Sequence, residues 1–180
     1  MRLFIALKLP DAFIPLLKQA GKTFAANAKK ISLTRAENLH LTLRFLGEVS
    51  EEKADELREF IRGIKPFETG EGQAALTGHG SFFAPGGLTL WAGLACDRAI
   101  LDLANGVEEG AKALGFPPDN RPFVPHVTLA RRAILTRPLD ELTLLLPAHP
   151  EPLPLGPLTL FESRLGPEGP EYIARERIAM

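Results

Sequence analysis

The 180-residue chain predicts an α+β fold built on antiparallel sheets, and three observations carry that prediction. Strand-like apolar runs and helix-period stripes are interleaved without the regular alternation expected of a doubly wound parallel fold. The segment Ala84-Pro85-Gly86-Gly87 joins two strand-like runs as a hairpin turn, a connection that makes its strands antiparallel. One pattern also occurs twice: His40-Leu41-Thr42-Leu43 and His126-Val127-Thr128-Leu129, 86 positions apart (126 − 40), each in a strand-like run. That repeat suggests two similar lobes, although the rest of the two halves is not visibly repetitive.

The elements follow in order. Arg2–Leu9 is rich in bulky apolar residues that alternate, so it reads as a strand. Pro10-Asp11 opens a helix whose apolar face is Phe13, Leu16, Leu17, Ala20 and Phe24, with Pro15 near its first turn, where a missing N–H costs little. Asn38–Leu46 is the first motif strand, closed by Gly47. Ser50 is a good N-cap, and Glu51 and Glu52 suit the positive end of the next helix. That helix carries Ala54, Leu57, Phe60, Ile61 and Ile64 as its buried stripe. Gln73–Phe83 and Leu88–Leu94 are the two strands of the hairpin. Asp97 caps a third helix, with Ile100, Leu103, Ala104, Val107, Ala111 and Leu114 inward, and Gly115 ends it. The second motif strand follows a proline-rich approach, residues 117–122. Loops are expected over Pro147–Pro157, before strands at Leu158–Ser163 and Tyr172–Ile178.

The totals narrow the class. Hydrophobic residues at 45% and charged residues at 24% are ordinary for a globular protein. A net charge of −1 argues against broad binding along a nucleic-acid backbone, yet leaves room for a site that grips one terminal phosphate. The single cysteine, Cys96, excludes an intrachain disulfide, fits a reducing compartment and reads as a small core residue. No apolar run reaches the length of a membrane span, and the apolar start of the chain stops too early for a signal peptide. The expectation is a cytoplasmic protein forming one domain over residues 1–180, with no membrane association.

The repeated motif carries the chemistry. A strand places residues i and i+2 on one face, so each copy presents an imidazole and a hydroxyl together while Leu41, Leu43, Val127 and Leu129 point into a core. Histidine titrates nearest neutrality, and a pair can serve as one acid and one base at the same pH. Phosphodiester cleavage needs that combination, one group taking a proton from water and the other protonating the departing oxygen. Thr42 and Thr128 hydroxyls and a guanidinium can donate to phosphate oxygens as charge develops. Arg131, five residues after His126, is one candidate cation, but strict alternation puts it on the wrong face unless it lies past the strand end or beside a bulge. Arg44 keeps parity with His40 and Thr42 and is the second.

One His-x-Thr in a strand is weak, because threonine favours strands and histidine there is usually packed or exposed. Two copies half a chain apart are much harder to dismiss. His79 and His149 lack a threonine two positions on; the first is expected at a strand end, the second in a solvated loop, and both are left out of the site. A metal centre is the main competitor, but two histidines fall short of the three or four ligands zinc takes. No cofactor and no metal are therefore expected. Phosphate-loop, nucleophile-elbow and Cys-x-x-Cys patterns are absent.

At these residues the chain resembles the two-histidine (2H) phosphoesterase superfamily, and within it the RNA 2′,3′-cyclic phosphodiesterases, historically labelled 2′-5′ RNA ligases. The resemblance runs through residues 2–7, 38–47, 90–94, 123–131 and 158–163, with Tyr172 beyond, and covers nearly the whole chain. It implies a bilobal α+β fold, two antiparallel sheets related by an approximate two-fold axis, helices on their outer faces and a cleft between the lobes. It implies metal-independent hydrolysis of RNA 2′,3′-cyclic phosphate ends to 2′-phosphates, tRNA fragments among them. His40 would be proton donor, His126 proton acceptor, and Thr42, Thr128 and Arg131 would bind phosphate in a monomeric enzyme. Two alternatives stay open: an RNA ligase in which a 5′-hydroxyl replaces water, and a non-catalytic RNA-end binding module. Two titrating histidines count against the latter, and the abundance of water against the former.

Overall fold

A computed structural model describes residues 1–167 and 169–180 and resolves them into two antiparallel sheets and four α-helices. The elements run β1 (Arg2–Lys8), α1 (Phe13–Ala26), β2 (Ala28–Leu33), a 3-10 turn (Ala36–Asn38), β3 (His40–Glu48), α2 (Glu51–Arg62), β4 (Gln73–Ala84) and β5 (Gly87–Cys96). After these come α3 (Arg98–Ala113), β6 (His126–Leu135), α4 (Leu139–Thr143), β7 (His149–Pro154), β8 (Leu158–Gly166) and β9 (Gly169–Ile178).

One sheet has the order β3-β1-β8-β9 and the other β2-β6-β5-β4-β7. Set side by side, β3, β1, β8 and β9 correspond to β6, β5, β4 and β7, with β2 added outside β6. The helices cross between the halves. Helix α1, which follows β1, packs on β6 and β2, whereas α3, which follows β5, packs on β3 as well as β5. Apolar positions from both sheets therefore merge into one core, with Leu3, Ile5 and Leu7 of β1 meeting Phe13, Leu17 and Phe24 of α1, Leu41 of β3, Val107 of α3 and Val127 of β6.

Local signals act where the sequence places them. Ser50 accepts from the Lys53 N–H and Asp97 from the Ile100 N–H, each cap contributing about 1 kcal/mol. Gly115 lies at φ 86° just past α3, as a left-handed helix stop requires. Residues 85–86 join β4 to β5, with Ala84 opposite Gly87.

Several expectations need correction. Residues 147–157 are not all loop, because His149–Pro154 forms β7 on the edge of its sheet beside β4. An edge strand tolerates Pro150, Pro152 and Pro154, since the missing N–H groups can face outward. β2 and the short α4 were also not expected. The first motif strand continues through Gly47, at φ 77° beside a register shift, to Glu48. His79 sits within β4 rather than at its end, edge-on to Phe24 at 6.3 Å with its Nε2 buried and without a hydrogen-bond partner among the described residues. His149 belongs to β7 and leans on Phe13 at 5.4 Å. Cys96 closes β5 half-buried rather than in the core; burial and the neighbouring Asp97 push its thiol up to about 12.

Candidate active site

The two motif strands share a local defect that builds the site. Along β3, Thr42 pairs with Ala6 and Arg44 with Ile5, so one extra residue, Leu43, is inserted. Along β6, Thr128 pairs with Trp91 and Ala130 with Leu90, so the extra residue is Leu129. Both bulges fall three positions after the motif histidine. Each leaves two consecutive residues buried, Leu43-Arg44 and Leu129-Ala130, and then reverses the alternation.

The reversal decides which arginine shares the face of the motif. Arg131 rejoins the face of His126 and Thr128 and lines the cleft with them. Arg44 loses the parity that simple alternation gave it and turns inward to 8% exposure. Its guanidinium is held by Glu108 at 2.8 Å, by Asp119 at 3.6 Å and by the Pro117 carbonyl. It ties β3 to the loop that leads into β6 and is not a free phosphate ligand. The residue equivalent to Arg131 in the first copy is Phe45, 48% exposed on the cleft wall.

A cleft of about 1280 Å³ brings together every residue expected at the site: His40, Thr42, Thr128, His126 and Arg131. Each imidazole is anchored in the same way. His40 Nδ1 donates to the Asn38 carbonyl at 2.7 Å, and His126 Nδ1 to the Val124 carbonyl at 2.6 Å. A proton on Nδ1 leaves the Nε2 lone pair of a neutral ring directed away from the backbone.

Their surroundings differ. His40 packs between Phe4, at 4.9 Å and nearly parallel, and Tyr172, at 5.4 Å and edge-on. Its Nε2 is met by Thr42 Oγ1 at 2.8 Å. Burial lowers its pKa to about 4, with Arg131 and His126 pushing the same way against the Asn38 carbonyl. His126 stands against Phe82 at 5.1 Å and Trp91 at 6.0 Å. Its Nε2 has no hydrogen-bond partner among the described residues, and its pKa is also lowered, first by burial and then by Arg131. Arg131 thus acts electrostatically on both imidazoles.

Sequence reasoning missed the aromatic lining. Tyr172 reaches the cleft from β9, its phenol pKa raised by burial and partly restored by Arg131 and Arg2. Phe45 and Phe82 had no signal beyond their place next to a motif or a turn. Among the described residues no group of three or more His, Cys, Asp or Glu side chains could hold a metal ion, and no helix is long and apolar enough to cross a membrane.

Comparison with known proteins accords with this geometry. The model of the LigT-like phosphoesterase family matches residues 7–74 and 95–172. An RNA 2′,3′-cyclic phosphodiesterase of Archaeoglobus fulgidus is 34% identical over 134 residues, 73% of this chain and 72% of that protein. One from Thermus thermophilus is 32% identical, with all of this chain and 90% of that protein aligned. The crystal structure of Escherichia coli LigT complexed with 3′-AMP matches at a TM-score of 0.75 and 29% identity, covering 99% of this chain and 97% of that one. Doubled motif, paired sheets and family match agree: the chain belongs to the LigT-like phosphoesterases of the two-histidine superfamily.

Proposed function

We propose that the protein is an RNA 2′,3′-cyclic phosphodiesterase that opens terminal cyclic phosphates to 2′-phosphates with two histidines and no metal. The observation that carries this reading is the pair of anchored imidazoles in one cleft with a guanidinium, that of Arg131, which no carboxylate among the described residues neutralises. The names of the relatives support the substrate class.

In the reaction, water attacks phosphorus in line with the 3′ oxygen. His126 Nε2, the ring nitrogen without a hydrogen-bond partner among the described residues, takes the proton from water as the new P–O bond forms. His40 Nε2 gives its proton to the 3′ oxygen as the old P–O bond breaks, leaving a 3′-hydroxyl and a 2′-phosphate. Thr42, Thr128 and Arg131 donate to the non-bridging oxygens, whose charge grows in the transition state. With its pKa lowered to about 4 by burial, His40 is largely neutral at pH 7. The cyclic phosphate supplies the correction, because an anion beside a buried imidazole favours its charged form. Thr42 must also turn its hydroxyl from His40 to the phosphate when substrate enters.

The whole of residues 1–180 acts as one domain and one monomer in this reading, in the cytoplasm, where RNA ends arise. Incubating RNA that ends in a 2′,3′-cyclic phosphate with the protein in excess EDTA tests it. The expected result is undiminished conversion to a 2′-phosphate; activity abolished by chelation and restored by zinc or manganese would contradict it.

A further inference from the structure

The cleft wall continues past His126 to Phe82 and then to Phe83, near the end of β4 at the hairpin tip. Phe83 is 97% exposed. With Phe82 and Ile134 also exposed beside it, Phe83 completes an apolar patch at the cleft edge, the kind of surface that marks an interaction site. It borders both the cleft and an open depression of about 500 Å³ lined by Leu88, Ile134 and Arg137 among others.

Arg132 stands on the same lip. It is exposed, it donates to Ser32 Oγ at 3.1 Å, and among the described residues no carboxylate pairs with it. Its backbone is held at φ 54°, a left-handed conformation that a residue with a Cβ rarely adopts. The hairpin presses on this bend: a Cβ on Gly87 would lie 2.7 Å from the Ala133 carbonyl oxygen and 2.8 Å from the Arg132 carbonyl carbon. Hairpin tip and bend are therefore fixed against each other, and Phe83 and Arg132 share one rigid edge.

Charge gives this edge a direction. On the far wall of the cleft, Arg44 and Arg121 are taken up by Glu108 and Asp119. Arg131 and Arg132 have no carboxylate partner among the described residues, and both lie on the hairpin side. An anionic strand leaving the histidines is drawn that way.

We propose that this lip binds the RNA strand upstream of the terminal nucleotide, Phe83 stacking on a base and Arg132 holding a phosphate. The proposal rests on the phosphodiesterase reading only in placing the strand's end at the histidines. It assigns the protein a preference for oligonucleotides over mononucleotides that the motif residues alone do not provide.

The test compares a mononucleoside 2′,3′-cyclic phosphate with a single-stranded oligoribonucleotide carrying the same end. The variants are Phe83→Ala and Arg132→Asn; asparagine suits the left-handed backbone while removing the charge. For the oligonucleotide, Phe83→Ala should raise KM by roughly 5- to 100-fold, the usual worth of one base–aromatic stack. Arg132→Asn should raise KM and flatten the salt dependence by about 0.7 in log–log slope, one phosphate contact on a single strand. The mononucleotide should be hydrolysed as by the unchanged protein. Equal loss on both substrates, or no loss on either, overturns the proposal. Binding of an oligoribonucleotide ending in a 3′-phosphate, read by fluorescence anisotropy, provides a second readout independent of turnover. If the unchanged protein hydrolyses neither substrate, the phosphodiesterase reading fails; if both variants bind this probe as tightly as the unchanged protein does, the lip proposal fails.

Discussion

Three residues after each motif histidine, β3 and β6 take in the same extra residue, Leu43 in one and Leu129 in the other, and from there the two strands diverge. In β6 the reversed alternation delivers Arg131 to the cleft; in β3 it delivers Phe45, and the neighbouring Arg44 turns into an ion-paired interior. β3 is an edge strand, whereas β6 is covered by β2. His40 is wedged between Phe4 and Tyr172 with its Nε2 bonded to Thr42, while the Nε2 of His126 meets no protein group among the described residues. Duplicated backbone with unlike side chains teaches that the site is symmetric in scaffold and asymmetric in chemistry. One imidazole is sheltered and the other open, an asymmetry that suits the two different proton transfers of the proposed mechanism.

Removing either imidazole should do the most damage. His40→Ala and His126→Ala should each lower kcat on a cyclic-phosphate substrate by roughly 10²–10⁴-fold, the usual worth of a positioned acid or base. His79→Ala and His149→Ala, both outside the cleft, should leave turnover nearly unchanged, and steady-state kinetics on all four variants check the pairing.

Next comes the contrast between the two residues that follow the bulges. Arg131→Ala should cost about 10²–10³-fold in kcat/KM, because it removes a cation from the charge-developing oxygens. Phe45→Ala should cost much less on a mononucleotide. A comparable loss from Phe45→Ala would mean that the asymmetry has been misassigned. Arg44→Ala should instead reduce stability, on the order of 2 kcal/mol in urea unfolding, by removing the buried cation that holds Glu108 and the Pro117 carbonyl to β3, while Asp119 keeps Arg121.

The threonines rank lower. Thr42→Ala and Thr128→Ala should each cost roughly 3- to 10-fold, one hydroxyl donor among several. Thr42→Ala should also raise the pKa of His40, since the bond it removes is donated to the neutral form of the ring. Thr128→Ala should leave that pKa unmoved, and NMR titration of the two imidazoles distinguishes them.

The pH profile sharpens the comparison further. Both histidines titrate below the usual 6.5, His40 near 4. Activity needs one proton on the pair, so kcat/KM should peak between these pKa values, on the acid side of 6.5, falling above and below. The kcat profile, set by the phosphate-bound form, should peak at higher pH. The same shifts mean that the unfolded chain binds more protons than the native one as pH falls from 6.5 toward 4, so stability declines over that window. A kcat/KM optimum above pH 7 would contradict the burial of His40.

How much of this could be read from the residues depended on how local the signal was. The caps at Ser50 and Asp97, the turn at 84–87 and the two His-x-Thr strands are written in a few adjacent side chains, and the fold follows them. Bulges are not written that way. Strict alternation assigned Arg44 to the site and left Arg131 on the wrong face, and only a one-residue insertion in each ladder exchanges them. β2 and β7 escaped notice because edge strands need no unbroken apolar run: one carries Lys29 and Lys30, the other three prolines. The aromatic lining of the cleft depends on where distant strands meet, which no local pattern encodes.

The unequal roles of the two histidines are best tested with a leaving group that needs no proton. On a phosphodiester with a p-nitrophenolate leaving group bound in the same cleft, His40→Ala should recover most of the rate it loses on the cyclic phosphate, while His126→Ala stays impaired. Recovery by His126→Ala instead, or equal impairment of both variants, would contradict the division of labour between the sheltered and the open imidazole.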